Sequence, residues 1–286
     1  AYTAAAQGKK VVLIATGSHV GVLSSGGLGY TDIGNKYVVS GLALDFYRQV
    51  GKHYGKLEQW IFEPHVAENI FLNYLKNKNI TVVYRNSLVG VQKNNTTITA
   101  ITLHASGSNK EASLTIRAKV FIDCSYEGDL MAKAGVSYFV GREANSVYGE
   151  TYNGVELREK HQFADGVDPY KIPGHPESGL LWGISKDTLK PNGTGDRREQ
   201  TYNVRVCLTN DPANRVPISR PADYDSSRYA LYLRMIRDKH PTELPMNISL
   251  MPNHKTDINN NGPFSTDMIC VNYPSPDGDE ATRKRI

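Results

Sequence analysis

An apolar run that ends in an acid and a small-residue turn constrains this chain more than any other stretch. Val120-Phe121-Ile122 leads into Asp123-Cys124-Ser125, Gly128-Asp129 makes a tight turn, and a short helix closes at Gly135. The pattern predicts a buried strand over 119–123 whose carboxyl end meets a helix N-terminus. In an α/β sheet, that junction is where backbone amides receive the phosphates of a dinucleotide. The Gly-x-Gly-x-x-Gly turn usual in such folds does not occur in these 286 residues.

The beginning of the chain has the same flavour. Residues 1–10 read as the last turns of an Ala-rich helix stopped at Gly8, and Val11-Val12-Leu13-Ile14-Ala15 follows as a fully apolar strand of the parallel kind. A helix handing over directly to such a strand is the second half of a βαβ unit. The expectation is therefore that a first strand and its phosphate turn lie upstream of residue 1. Residues 16–35 form a long Gly-rich loop, a length that in compact domains tends to serve function.

Helices are expected over 39–53, with Leu42, Phe46 and Val50 on one face, and over 64–78. The second starts at Pro64 and carries Val66, Ile70, Leu72 and Leu75 as a stripe. Ile80 to Tyr84 reads as a strand. Three more strands near 87–93, 97–104 and 112–117 are separated by Asn-Asn and Gly-Ser-Asn turns. Beyond about residue 140, Pro, Gly, Asn and Tyr dominate. There the clearest strand is 201–209, with Tyr202, Val204, Val206 and Leu208 on one face and Asn203, Arg205 and Cys207 on the other. A helix is expected over 225–238. The organisation expected is a nucleotide-binding domain over 1–145 and a substrate or cap region over 146–286, incomplete at its C-terminus.

Composition excludes several classes. A net charge of +4 is spread along the chain, and the Arg-Lys-Arg at 283–285 reads as a solvated tail, so no nucleic-acid patch is indicated. No apolar run reaches the roughly 20 residues of a membrane span. The three cysteines, 124, 207 and 270, make neither a disulfide framework nor a metal pair and read as small buried hydrophobes. The eight histidines lack metal-binding spacing, and no metal site is expected.

Taken in order, these segments resemble the FAD-binding domain of glutathione-reductase-like flavoproteins. More narrowly, the chain looks like the bacterial FAD-dependent oxidoreductases often found beside polysaccharide-degrading proteins, some of which carry the label xanthan lyase. The resemblance rests on 21–35, on Phe62-Glu-Pro-His-Val-Ala-Glu68 and on 121–135. It continues in Val140-Gly-Arg-Glu143, Tyr148-Gly-Glu-Thr-Tyr-Asn-Gly154 and Gln200–Thr209. It implies an α/β fold with a Rossmann-like FAD/NAD(P)-binding sheet, a three-stranded β-meander and a loop-rich α+β substrate region.

FAD is the implied cofactor. The resemblance brings Gly21, Ser25, Gly26 and Gly27 to the flavin diphosphate and ribityl chain, where a side chain would hold the amides off the phosphates. It brings Asp123, Gly128 and Asp129 to the ribityl and pyrophosphate, and Val89 to the adenine. The residues also admit plainer readings: a flexible loop for the first set, a helix cap for Asp129 and a core position for Val89. Two departures weaken the site. The phosphate turn is missing, and Ala15 stands where the second strand usually ends in the acid that holds the adenosine ribose. The expectation is a chain that by itself binds FAD weakly or not at all.

For substrate chemistry, Arg205 and Asn203 share the polar face of their strand. Arg205 can clamp a carboxylate or hydroxylated ligand, or pair on an exposed face with Asp196 or Glu199. Arg142 with Glu143, and Tyr148 with Glu150, are further polar pairs that either face a flavin or stitch loops. His53 and His65 read as structural, and His19 in the Gly-rich loop is the candidate proton shuttle. The implied activity is FAD-dependent oxidation of a small organic or sugar-derived substrate. The alternatives are a polysaccharide lyase or glycan-binding protein, and a cofactor-free remnant of the fold. Oligomeric state and compartment are not indicated.

Overall fold

A computed structural model of the chain describes residues 1–106, 113–160, 162–243, 246–261, 267 and 270–286. They cluster in two compact units, 1–138 with 250–257, and 139–249 with 258–286.

The first unit opens with α1 (Tyr2–Ala6), closed at Gly8 in the left-handed region, and passes to β1 (Val11–Ile14). After α2 (Val22–Gly26) come α3 (Gly41–His53) and α4 (Pro64–Tyr74), then β2 (Ile80–Val83), which pairs in parallel with β1 so that Val11 faces Ile80. β3 (Asn86–Asn94), β4 (Thr97–Ala105) and β5 (Ser113–Arg117) form an antiparallel sheet in that order, and α5 (Asp129–Lys133) follows. Alternation puts Ile101 and Leu103 on one side of β4, where both are buried, and Ala100 on the opposite side is buried as well. The Asn-Asn turn at 94–95 falls as expected, with Asn95 at φ +53°, a value Asn tolerates. The Gly-Ser-Asn turn lies outside the described residues.

The core of this unit is the α3–α4 pair. Phe46, Val50, Phe62, Val66, Ala67 and Ile70 are buried together, with Tyr47, Tyr54, Phe71 and Tyr74 packed around them. Phe46 stacks on Phe71 at 4.9 Å and meets Phe62 edge-on at 5.6 Å, two of the favoured aromatic geometries. At about 1.5–3 kcal/mol per fully buried apolar side chain, this cluster is the main stabilising element of the unit.

In the second unit, α6 (Asn145–Tyr148), β6 (Val206–Thr209), α7 (Ala230–Lys239), β7 (Met246–Met251), β8 (Lys255–Asn260) and α8 (Glu280–Arg285) are set in long loops. The strand order is β6-β8-β7. The tip of the β7–β8 hairpin, 250–257, clusters with the first unit. Asn253 and His254 both have φ near +58° (φ +59° and +57°), as the central pair of a type I′ turn requires.

Several expectations need correction. The segment 119–123 joins no ladder among the described residues, and Val120 and Ile122 are 72% and 77% exposed. A buried parallel strand needs partners beside it, and the described parallel sheet has only β1 and β2. α4 stops at Tyr74 rather than 78: the Lys76 amide turns to Asn73 O, and farther on Asn77 Oδ1 accepts the Asn79 amide in a turn. The loop 16–35 contains α2. The strand expected over 201–209 is reduced to β6, and Tyr202 and Val204 are exposed. All three cysteines are exposed. The basic cluster at 283–285 is not all free tail, since the Arg283 guanidinium donates to the carbonyls of Ser275 and Pro276.

Candidate functional site

The Gly-rich loop wraps α4. His19 Nδ1 meets Glu68 Oε1 at 2.7 Å, which requires the ring proton on Nδ1 and leaves Nε2 free of that bond. Two residues on, Gly21 sits at φ +94°, and a β-carbon there would lie 2.1 Å from Phe71 Cδ2. Farther along, the Phe62 amide donates to Gly29 O at 2.9 Å, and Tyr30 bridges Ile61. Helix α4 is thus the spine of the loop. Ser25 Oγ donates to Val20 O at 2.5 Å and is spent inside the loop. Gly26 differs: a side chain there would meet nothing within 4 Å, and Gly27 follows at φ +138°. The space beside Gly26 is therefore open, although the Gly27 amide already donates to Leu23 O, whereas Gly21 is glycine because of Phe71.

The turn at 123–131 is closed by its own side chains. Asp123 Oδ1 accepts from the Ser125 amide (2.9 Å) and hydroxyl (2.6 Å), and Oδ2 accepts from the amides of Leu130 (3.0 Å) and Met131 (3.1 Å). Ser125 Oγ accepts from Gly128 N and Asp129 N. Four amides at the start of α5 are therefore satisfied without a phosphate. Partial burial, which would raise the Asp123 carboxyl, is outweighed by these bonds, so it titrates below the ordinary aspartate range. The cap is Asp123 with Ser125. Asp129 is the first helical residue after Gly128 at φ +69°. Val89, on β3, is 41% exposed, which excludes the plain core reading for it.

The least exposed acid in this unit is Glu63, at 2% exposure, directly before Pro64 at the start of α4. Its carboxylate accepts from Tyr54 Oη (3.0 Å), Asn253 Nδ2 (2.6 Å) and Lys255 Nζ (2.5 Å), and its amide donates to the same Tyr54 oxygen at 3.0 Å. Burial alone would raise this carboxyl, but the bonds from Lys255, Tyr54 and Asn253 hold it below its ordinary value. The Tyr54 phenol is pushed up to about 12, mainly by burial. A shallow pocket of about 320 Å³ lies beside this cluster, lined by Tyr54, Lys56, Gln59, Ile61, Leu250 and Pro252. Sequence reasoning missed the group. Glu63 stands in Phe-Glu-Pro before an apolar stripe, but nothing local announces a partner 192 residues away.

In the second unit, Arg142 pairs with Asp196 rather than Glu143. Its Nε donates to Oδ1 at 2.9 Å and its Nη2 to Oδ2, while the two backbones exchange hydrogen bonds of 2.8 and 2.9 Å. The guanidinium beside Asp196 holds that carboxyl below its ordinary range. Glu150 accepts from Asn153 Nδ2 at 2.8 Å, not from Tyr148. A pocket of about 580 Å³ opens here among Phe139, Arg142, Glu143, Glu150 and Tyr152. Asn203 Nδ2 donates to Asn260 Oδ1 at 3.3 Å and to the Asp267 carboxylate. Arg205 is half-buried, just before β6. Among the described residues, no group of three His, Cys, Asp or Glu side chains gathers as a metal would need, and no helix is long and apolar enough to cross a membrane.

The chain is mixed α/β, and comparison with known families says which group it belongs to. The sequence model of the family described as FAD dependent oxidoreductase matches residues 1–286, and the chain belongs to that family. Comparison with curated proteins and with solved structures gives no match.

Proposed function

We propose that the chain acts as an FAD-dependent oxidoreductase on a small organic or sugar-derived substrate, and that by itself it holds the flavin weakly. Membership of the family over its whole length supports the general activity. When bound, FAD supplies the acceptor for a hydride. The chain's residues fit that group in part. The open space beside Gly26 lets a diphosphate approach, with Gly21 and Ser25 shaping the loop around it, although the Gly27 amide is already bonded to Leu23 O.

One observation supports weak binding above the others. The amides of 128–131, which would meet the pyrophosphate, are already taken by Asp123 and Ser125. Ala15 adds no ribose carboxylate. Val89 is assigned to the adenine side. His19, oriented by Glu68, is assigned to proton transfer at Nε2, and Arg205 and Asn203 to substrate contact.

Titration of the purified chain with FAD, followed by flavin fluorescence, tests the reading. A dissociation constant weaker than about 10 μM is expected. Purification with stoichiometric yellow flavin would refute weak binding, and absence of any saturable binding would refute the cofactor assignment.

A further inference from the structure

The Glu63 cluster does more than neutralise a buried charge. A carboxylate at 2% exposure is tolerable only when paired and fully hydrogen-bonded, and here the partners Asn253 and Lys255 come from a hairpin tip far along the chain. They grip the residue at which α4 begins. The residues just before it, Ile61 and Phe62, hold Tyr30 and Gly29 of the Gly-rich loop by backbone contacts. The same tip closes over Gly29 from the other side: a β-carbon on Gly29 would lie 2.5 Å from Met251 Cε and 2.2 Å from Phe62 O. Farther down α4, Glu68 holds His19 and Phe71 fills the space against Gly21. The carbonyls of Thr16 and Gly17 accept from Ser106 Oγ and the Arg85 amide, but these tethers of residues 19–30 run through α4, its entry or the hairpin tip. The entry is fixed by one ion pair and two neutral hydrogen-bonding side chains.

We propose that Glu63, Lys255, Asn253 and Tyr54 are positioning residues for the flavin loop: by fixing the start of α4, they hold residues 19–30 in the conformation that receives the cofactor. This rests on the flavin reading above. The residues touch no cofactor themselves. They act through Phe62 and Gly29, and a glycine backbone without side-chain anchors needs such external restraint to stay pre-organised.

Amide hydrogen exchange on the full chain, read peptide by peptide, together with FAD titration, tests the idea. In Lys255→Met, exchange over 16–35 is expected to rise at least tenfold while the β3–β5 peptides stay unchanged, and FAD affinity to fall at least fivefold. Lys255→Arg, which restores the charge, should recover most of both. If Lys255→Met does not fold, Asn253→Ala removes one bond of the same cluster and should show a smaller change of the same pattern. Unchanged exchange over 16–35, or an equal rise throughout the unit, overturns the positioning role. So does a loosened loop with unaltered FAD affinity. Wild-type protein that binds no FAD at all refutes the flavin reading, and with it the role assigned here. The exchange pattern then still reports whether the cluster holds the loop.

Discussion

Replacing Asp123 by Ala removes the acceptor for four hydrogen bonds, yet the cost should be far below four times that of one bond. Asp123 is exposed, so water competes for the freed amides of Ser125, Leu130 and Met131 and no buried group is orphaned. The appropriate scale is the loss of a helix N-cap, about 1–2 kcal/mol. That energy is local, because α5 has a single turn and its far end is anchored separately, Lys93 Nζ donating to Ala134 O at 2.5 Å. Amide exchange at 128–131 should therefore accelerate about 5–30-fold in Asp123→Ala, with β4 unaffected.

The pH dependence supplies the control. The Asp123 carboxyl is depressed in the folded chain, so its contribution is present above the unfolded aspartate value of about 3.9 and is lost as pH falls through the lower folded value. The difference between wild type and variant should thus be full at pH 7 and disappear in strong acid. Equal exchange at pH 7, or a difference that persists below both values, would refute the capping assignment.

Other substitutions probe the remaining contacts. Gly21→Ala should destabilise the first unit by about 1–3 kcal/mol in urea unfolding, since the new methyl meets Phe71 at φ +94°, and Phe71→Leu in the same chain should relieve part of the clash. Arg142→Lys cannot reproduce the two-point pairing with Asp196, so exchange should rise across 140–145 and 193–197 while the first unit is unchanged. Native protein treated with iodoacetamide should be alkylated at Cys124, Cys207 and Cys270, counted by mass spectrometry. Protection of all three until denaturant is added would contradict their exposure.

How much could be read from the chain depended on how local each cause is. Pro64 and the stripe Val66–Ile70 announce α4, and the alternation of β4 announces the antiparallel sheet, because each signal lies within one element. The end of α4 lies four residues before the expected 78, where the Lys76 amide bonds Asn73 O and Asn77 Oδ1 takes the Asn79 amide, local bonds that periodicity does not register. Segment 119–123 has the composition of a buried strand, but strand formation is a property of the partner as much as of the segment, and Val120 and Ile122 lie in solvent. Among the candidate site residues, Gly128 and Asp129 were legible as a turn, but not that Asp123 and its neighbour Ser125 close it. Arg142 was expected beside Glu143 and instead reaches Asp196, 54 residues on. Glu63 was invisible for the same reason: spacing along the chain carries no information about a lysine that arrives from a distant hairpin.

The return of that hairpin has a consequence for anyone who would dissect this protein. The first unit is not a contiguous piece of polypeptide, because residues 250–257 belong to it. A fragment ended at Tyr138 would contain every residue of the α3–α4 core yet lose Lys255 and Asn253, two of the three side chains that satisfy the Glu63 carboxylate. Removing the partners of a buried charge costs up to about 3–5 kcal/mol, a large share of the roughly 5–15 kcal/mol by which domains are stable. Such a fragment should fail to express as folded protein, whereas a circular permutant that keeps 250–257 next to the first 138 residues retains what the unit needs.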